Sequence, residues 1–376
     1  MNRSYDLAVV GAGIVGLGAA YAAAERGLRV VVIDRSAQPE GASVRNFGHL
    51  CIGAQTGQAR VYADASRAIW TTLAARAGFW LRESGTLVVA RHADELALLA
   101  AAAGDDLEIL EAADIERRAS LRTGVAHGGA HIAPDLQVNP RDAAPAIRAH
   151  LASIGVDVVL RTSVGRVSTG RVETSRGVVN AGLTVVAVNH DLDQLMPDLA
   201  ESNQVQRCGL DMLRVRASGV ALPAPLLTGW SLVRYGRFAG LAEADAVRER
   251  LHADRPDLAE IDLNQMYTQL PDGSLIVGDT HARGLGIPPF QTELSAQLLV
   301  DEFAELFGAG PRVVERWQGV YASGPDDFLI AEPEPDVIVL AATTGIGMTT
   351  GLGLAETTLA PRLGAVAAAP MEGLRV

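Results

Sequence analysis

Gly11, Gly13 and Gly16 stand directly after an apolar run at 7–10 and open a helical pattern over 14–26. Each glycine has a distinct use in such a turn. The first allows the tight bend, the second lets a pyrophosphate reach the backbone, and the third lets helix and strand pack closely. The helix start, Ile14 and Val15, then offers unpaired N–H groups and the positive end of its dipole to phosphate oxygens. A second apolar run ends at Asp34, inside the roughly 20-residue interval expected of a carboxylate that binds a ribose 2′-hydroxyl. Arg35 could pair with a 2′-phosphate, but Asp34 beside it would repel one. The expected ligand is an adenine dinucleotide without that phosphate. A lone glycine triplet is weak evidence; strand, helix, second strand and terminal acid in this order make it specific.

A second glycine-rich turn follows the apolar run at 337–340: Thr343, Thr344, Gly345, Ile346, Gly347, Met348 and Thr349. Its backbone N–H groups and helix start could stabilise the negative charge that develops at N1 and O2 of a reduced flavin; an ordinary glycine-rich loop is the alternative. Gly308, Ala309, Gly310 and Pro311 follow a helical pattern, the wrong context for a second dinucleotide site. A bound flavin would therefore take its electrons from the substrate and not from a pyridine nucleotide.

Composition removes whole classes of chemistry. All 32 basic residues of the 376 are arginine, so neither a Schiff-base lysine nor a P-loop lysine exists. A formal charge of −12, with no basic patch or tail, argues against nucleic acid and anionic membranes as partners. Cys51 and Cys208, far apart and without an export signal in view, suggest a reducing, cytoplasmic setting. No His, Cys or carboxylate set has metal-ligand spacing, so no metal is expected.

The elements that must position these residues read as an α/β fold. Unbroken apolar runs at 7–10, 30–33, 156–160, 183–188 and 337–340 suit strands of a parallel sheet buried on both faces. Between them lie stretches of different texture, with strands expected at 84–90, 125–132, 210–215, 265–270 and 274–279. Pro271, Asp272 and Gly273 mark a hairpin turn, and helical patterns cover 93–103, 243–253 and 292–307. The economical architecture is a Rossmann-like cofactor domain built from three segments (1–83, 139–203 and 318–376). An α+β substrate domain (84–138 and 204–317) is inserted into it.

These motifs together resemble the FAD-dependent oxidoreductases of the D-amino-acid oxidase, glycine oxidase and sarcosine oxidase superfamily, over nearly the whole chain. The resemblance rests on the N-terminal fingerprint, on Gly41, Ala42 and Ser43 followed by Asn46, Phe47 and Gly48, and on the turn from Gly345 to Thr349. Asn139, Pro140 and Arg141 resemble the return to the cofactor domain. By the same resemblance, Ser43, Arg45, Asn46, Phe47, Gly48 and His49 run beside pyrophosphate and the isoalloxazine ring, and Val164 contacts adenine through its backbone. Neither cysteine lies where these families attach flavin, which implies noncovalent FAD. A narrower resemblance, carried by residues 45–49, 317–321, 272–274 and 278–281, is to a subgroup linked to aminophosphonate catabolism. The chain also departs from the pattern. Val320 and Tyr321 stand where glycine and D-amino-acid oxidases place a carboxylate-binding arginine, and the oxygen-activating lysine of sarcosine oxidases is absent.

The resemblance implies oxidation of a small amine with an anionic group, by hydride transfer to flavin N5 and hydrolysis of the imine. Candidate substrates are 2-aminoethylphosphonate and its N-methyl derivatives. Oxygen, giving hydrogen peroxide, or another electron acceptor would complete the turnover. An oxyanion tail calls for arginine, whose planar fork binds it with two bonds. Arg207, Arg214, Arg216 and Arg234 are the candidates; Arg214 and Arg216 share a strand face with Met212 by period-two spacing, and structural arginines are the alternative for each. His49, His281 and Tyr321 are the candidate catalytic side chains, against a plain loop or packing role. Two rival readings stay open: a 2-hydroxy-acid or polyol-phosphate dehydrogenase on the same cofactor, and a flavin-binding module without turnover.

Overall fold

The computed structural model describes residues 4–364; the outermost parts of the expected cofactor domain, 1–3 and 365–376, lie outside the described residues. In chain order, the strands along one hydrogen-bonded path are β1 (Ser4–Val10), β2 (Val30–Ile33), β3 (Thr86–Ala90), β4 (Leu107–Leu110), β5 (Gly128–Ile132), β6 (Asp157–Val159), β7 (Gly177–Val186), β8 (Gln206–Arg216), β9 (Leu226–Leu227), β10 (Met266–Gln269), β11 (Leu275–Gly278), β12 (Arg312–Glu334) and β13 (Val337–Thr344). Their spatial order is β4-β5-β3-β9-β10-β11-β8-β12-β13-β7-β1-β2-β6.

The end formed by β13, β7, β1, β2 and β6 is parallel throughout. Its runs are continuously apolar because alternate residues feed two different cores. Leu7, Val9, Val30, Val32, Ile338 and Leu340 point into one, while Ala8, Val10, Val31, Ile33, Val337 and Val339 point into the other. The first core is closed by helices α1 (Ile14–Ala24), α2 (Gly57–Ala77), α3 (Pro140–Ser153) and α5 (Gly347–Leu363). Asn139 caps α3 by accepting from the Arg141 N–H, with Pro140 in the first turn where its missing N–H costs nothing.

The other end of the path is mixed and mostly antiparallel, with its own core drawn mainly from residues between 87 and 132 and between 208 and 307, joined by Phe47, Cys51 and Ala54. Helix α4 (Glu293–Phe307) packs against that core with Phe303, Leu306 and Phe307. The hairpin expected at Pro271, Asp272 and Gly273 joins β10 to β11.

Strand β12 was not expected. Its early residues pair with β8 and its later ones with β13, so one 23-residue strand ties the two ends of the sheet together. It alternates polar and apolar residues and is half exposed, which left no continuous apolar run to read. Among the described residues, no helix is long and apolar enough to cross a membrane.

Candidate active site

A single cleft of roughly 1200 Å³ runs from the glycine turn after β1 to the inserted strands. At its first end the glycines are required by space. Gly11 has φ +106°, and a Cβ there would lie 2.4 Å from the Ala187 carbonyl oxygen. At Gly16 a Cβ would lie 1.9 Å from the Gly11 carbonyl oxygen, so this glycine serves packing and does not line the cleft. The start of α1 is set by Ser43, whose Oγ accepts from the Ile14 N–H at 2.9 Å. Asp34 sits at the end of β2 and accepts from the N–H groups of Ala12 (2.6 Å) and Ser36 (2.7 Å). Arg35 pairs with Asp191 at 2.7 Å, so its charge is already met by a carboxylate.

The middle of the cleft is formed where the loop after Ser43 meets the start of α5. Asn46 closes that loop, donating to the Ala42 carbonyl and accepting from the Gly48 N–H. Gly48, at φ +70°, lies under the Val138 carbonyl. Thr349 Oγ1 accepts from the Cys51 N–H at 3.0 Å, and Trp70 Nε1 donates to the Met348 carbonyl, which fixes the α5 terminus against the loop. The Phe47 carbonyl accepts from Thr268 Oγ1 at 2.8 Å, latching the loop to β10. Gly13, Val15, Arg45, Val164, Gly345, Ile346 and Gly347 also line the cleft. The residues fit an adenine dinucleotide with a flavin ring: a side-chain-free glycine turn at a helix start for the phosphates, where Ser43 now takes the Ile14 N–H, then a second helix start beside the loop.

Beyond that point the lining changes to Arg234, Asp262, Asn264, Asp279, His281 and Arg283, with Tyr321 across from them. Arg234 Nη1 donates to Asp262 Oδ1 at 2.6 Å, and Arg283 donates to the other carboxylate oxygen. The two guanidiniums hold the Asp262 carboxyl well below the usual range, although burial opposes them. His281 donates from Nδ1 to the Asp262 carbonyl at 2.9 Å. Burial, and then the positive charge of Arg234, pushes its pKa down to about 3, so the ring is neutral at physiological pH. Asp279 is pushed up to about 7 by burial, against the pull of Arg234 and the Asn264 amide. Two guanidiniums therefore face one firmly ionised carboxylate, and Asp279 offers a second negative charge only as pH rises through about 7.

The sequence-predicted residues divide clearly. The glycine turn, Asp34, the loop from Ser43 to His49, Val164 and the α5 turn come together around one cleft, as do His281, Tyr321 and Arg234. His49 contributes to the wall, but its side chain is buried and its Nε2 sits 2.6 Å from Thr86 Oγ1 and 3.3 Å from Asp135. Asp135 in turn accepts from Thr86 and from the Gly53 N–H, so His49 belongs to a hydrogen-bonded brace under the loop. Its ring, the Cys51 thiol and Asp135 bring their polar atoms within 4.8 Å of one another, a grouping that chain spacing did not reveal. The Tyr321 phenol and the Cys208 thiol lie close enough to influence each other's titration, and the Tyr321 ring lies against Gly345.

Arg207, Met212, Arg214 and Arg216 do not line the cleft. Leu210, on the same face of β8, does, so Arg214 is displaced along the strand by four residues, roughly 13 Å. Arg214 is held by Asp272 and Glu315, Arg216 by Asp272, and Arg207 by Asp193. Met212 is fully buried in the core. The residues that sequence reasoning missed are Asp262, Asn264, Asp279 and Arg283. An acid directly after the buried run of β11 was the available signal for Asp279.

A family model described as FAD dependent oxidoreductase matches residues 6–360. No curated protein matches the chain. Among solved structures, glycine oxidase from Geobacillus kaustophilus superposes with a TM-score of 0.77 at 21% identity, covering 96% of each chain. L-proline dehydrogenase from P. horikoshii gives 0.77 at 17% identity, covering 96% of this chain and 94% of that one. Iminodiacetate oxidase from Chelativorans sp. BNC1 gives 0.74 at 19% identity, covering 96% and 97%.

Proposed function

The chain belongs to the FAD-dependent oxidoreductase family, and on that premise we propose that it oxidises a small amine carrying an anionic group. The observation that carries the reading is the pair Arg234 and Arg283 at the inserted-sheet end of the cleft, with one charge more than Asp262 balances. An oxyanion tail is the natural complement, because guanidinium binds carboxylate or phosphonate through short charge-assisted bonds. Glycine oxidase and iminodiacetate oxidase, whose folds this chain shares, are named for substrates of this kind. The narrower substrate proposed is 2-aminoethylphosphonate or an N-methyl derivative, whose phosphonate can engage both guanidiniums.

Bound FAD, held by the Gly11 turn, Asp34, the loop from Ser43 to His49 and the α5 terminus, supplies the two-electron acceptor. The chain's own residues bind and orient. Arg234 and Arg283 would fix the anionic end and so restrict where the amine can lie in the cleft. Tyr321 closes the pocket against Gly345 and keeps its proton, since burial pushes its phenol well above the usual value. The neutral amine loses a hydride from its carbon as its lone pair forms the C=N bond. Water then hydrolyses the imine to an aldehyde or keto compound, with release of ammonia or methylamine.

The test is anaerobic mixing of the FAD-loaded protein with 2-aminoethylphosphonate, its N-methyl form, glycine, sarcosine and a 2-hydroxy acid. Loss of the oxidised-flavin absorbance with the anionic amines supports the proposal. Bleaching by the hydroxy acid alone transfers it to the hydroxy-acid dehydrogenase reading, and no bleaching by any donor leaves a binding module.

A further inference from the structure

An amine that arrives as an ammonium ion has no lone pair, so the proposed oxidation needs a group to take its proton. We infer that Asp279 is that proton acceptor, with His281 positioning the nitrogen beside it; the inference rests on the amine reading above. Both side chains line the cleft, yet Asp279 is only 5% exposed and His281 only 6%. Asp279 is fixed from two directions. Asn264 Nδ2 donates to its Oδ1 at 3.0 Å, and the backbones of Asn264 and Asp279 exchange N–H to carbonyl bonds of 2.8 and 2.6 Å. That leaves Oδ2, which lies 4.0 Å from His281 Nε2, too far for a direct hydrogen bond.

The two facing atoms are both acceptors. His281 Nδ1 bonds to a carbonyl, which can only accept, so this nitrogen carries the ring proton and Nε2 presents a lone pair. A single nitrogen with N–H groups fits between Nε2 and Oδ2. His281 resists protonation itself, leaving Asp279 to take the proton. In the step, an N–H bond of the ammonium breaks, an O–H bond forms on Asp279 Oδ2, and the electron pair stays on nitrogen. The charged and titratable groups around Asp279 are Arg234 and Tyr235 after Val233, Asp262 before Asn264, Arg283 beyond His281, Cys208 on β8 and Tyr321 on β12. Burial, the largest influence on Asp279, raises its affinity for a proton against the opposing pull of Arg234, and the same burial disfavours an ammonium beside it.

Proton counting gives a readout separate from turnover. Near pH 6 the free enzyme and free amine carry a proton each, because Asp279 titrates near 7. The bound pair shares one. Binding should therefore release about one proton from this pair near pH 6 and none near pH 8.5, besides the fraction that a phosphonate, whose second ionisation lies near pH 6, gives up to the guanidiniums whether or not Asp279 is present. The experiment is calorimetric titration of FAD-loaded protein with 2-aminoethylphosphonate, anaerobically and in buffers of different ionisation enthalpy. It is repeated on Asp279→Asn, together with kcat/KM against pH. The variant should release about one proton fewer than wild type near pH 6 and lose about 100-fold in kcat/KM at pH 7. Its remaining activity should climb with pH toward the amine's own pKa. Wild-type protein that binds amine and releases no more protons near pH 6 than the variant overturns the inference. So does a variant whose pH profile overlays the wild type. Failure of every amine to bleach wild-type flavin is a different result, and it removes the proposed function instead.

Discussion

Replacing Arg234 with methionine separates the anchor from everything else in the cleft. Arg234 is the better placed guanidinium: it is one-fifth exposed, donates to Asp262 at 2.6 Å, and lies close enough to influence both His281 and Asp279. Asp262 keeps Arg283 as a partner in the variant, so no carboxylate is left unpaired. A hydrogen bond to a charged group contributes about 1.5–3 kcal/mol, which predicts a loss of about 10- to 150-fold in kcat/KM for an anionic amine. On the alkaline side of the acid limb, an amine of equal length with an uncharged tail should change by less than about twofold, since it never used the guanidinium. Removing the positive charge also withdraws a group that lowers Asp279 and His281 alike, so the acid limb of the pH profile should move to higher pH. Stopped-flow reduction with the matched pair of amines reads all of this. An equal loss for both amines would mean that Arg234 serves the fold, and no loss for either would place the anchor elsewhere.

Gly11→Ala should purify without flavin and fail to take up added FAD, because its Cβ would meet the Ala187 carbonyl at 2.4 Å and φ is +106°. The flavin-to-protein absorbance ratio measures it, and a fully loaded variant would contradict the placement of the phosphates. Arg214→Met, in contrast, should leave kcat/KM within about twofold and cost at most about 1 kcal/mol of stability per partly exposed ion pair lost, measured by denaturant unfolding. Asp279 also makes a stability prediction. Its folded pKa of about 7 lies above the ordinary 3.8, so between those values the folded state holds a proton that the unfolded state has lost. Stability therefore falls as pH rises through that window, by as much as about 4 kcal/mol. Asp279→Asn, which can still accept from Asn264, should remove this slope and melt higher than wild type at pH 8 but not at pH 4. Parallel melting curves for the two proteins across that range would show that Asp279 is ionised throughout.

The cofactor end was legible in the sequence because its signals are local. Gly11, Gly13 and Gly16 answer to one turn, and Asp34 to the end of the next strand. The apolar runs of β1, β2 and β13 were unbroken because each strand feeds two cores. The substrate end was not local. Arg234 and Asp262 come from two separate connections, and Asp279, His281 and Arg283 from the stretch after β11, gathered by the pairing of β10, β11 and β8. Period-two reasoning picked the face of β8 that reaches the cleft at Leu210, yet Met212, Arg214 and Arg216 lie beyond the lining, since nothing in a strand's sequence says where a cleft crosses it. Having no lysine sharpened the chemistry, because any cationic anchor must be arginine. It also blurred the location: Arg207, Arg214 and Arg216 match Arg234 in type and differ only in which carboxylates meet them.

The central claim is that this cleft oxidises an anionic amine at the expense of its own FAD. Anaerobic titration of the purified, FAD-loaded protein with 2-aminoethylphosphonate, followed through the flavin's visible spectrum, tests it most directly. Stoichiometric loss of the oxidised-flavin absorbance is expected, with recovery on readmitting an electron acceptor. An unchanged spectrum with every anionic amine, alongside full bleaching by a 2-hydroxy acid, would contradict it.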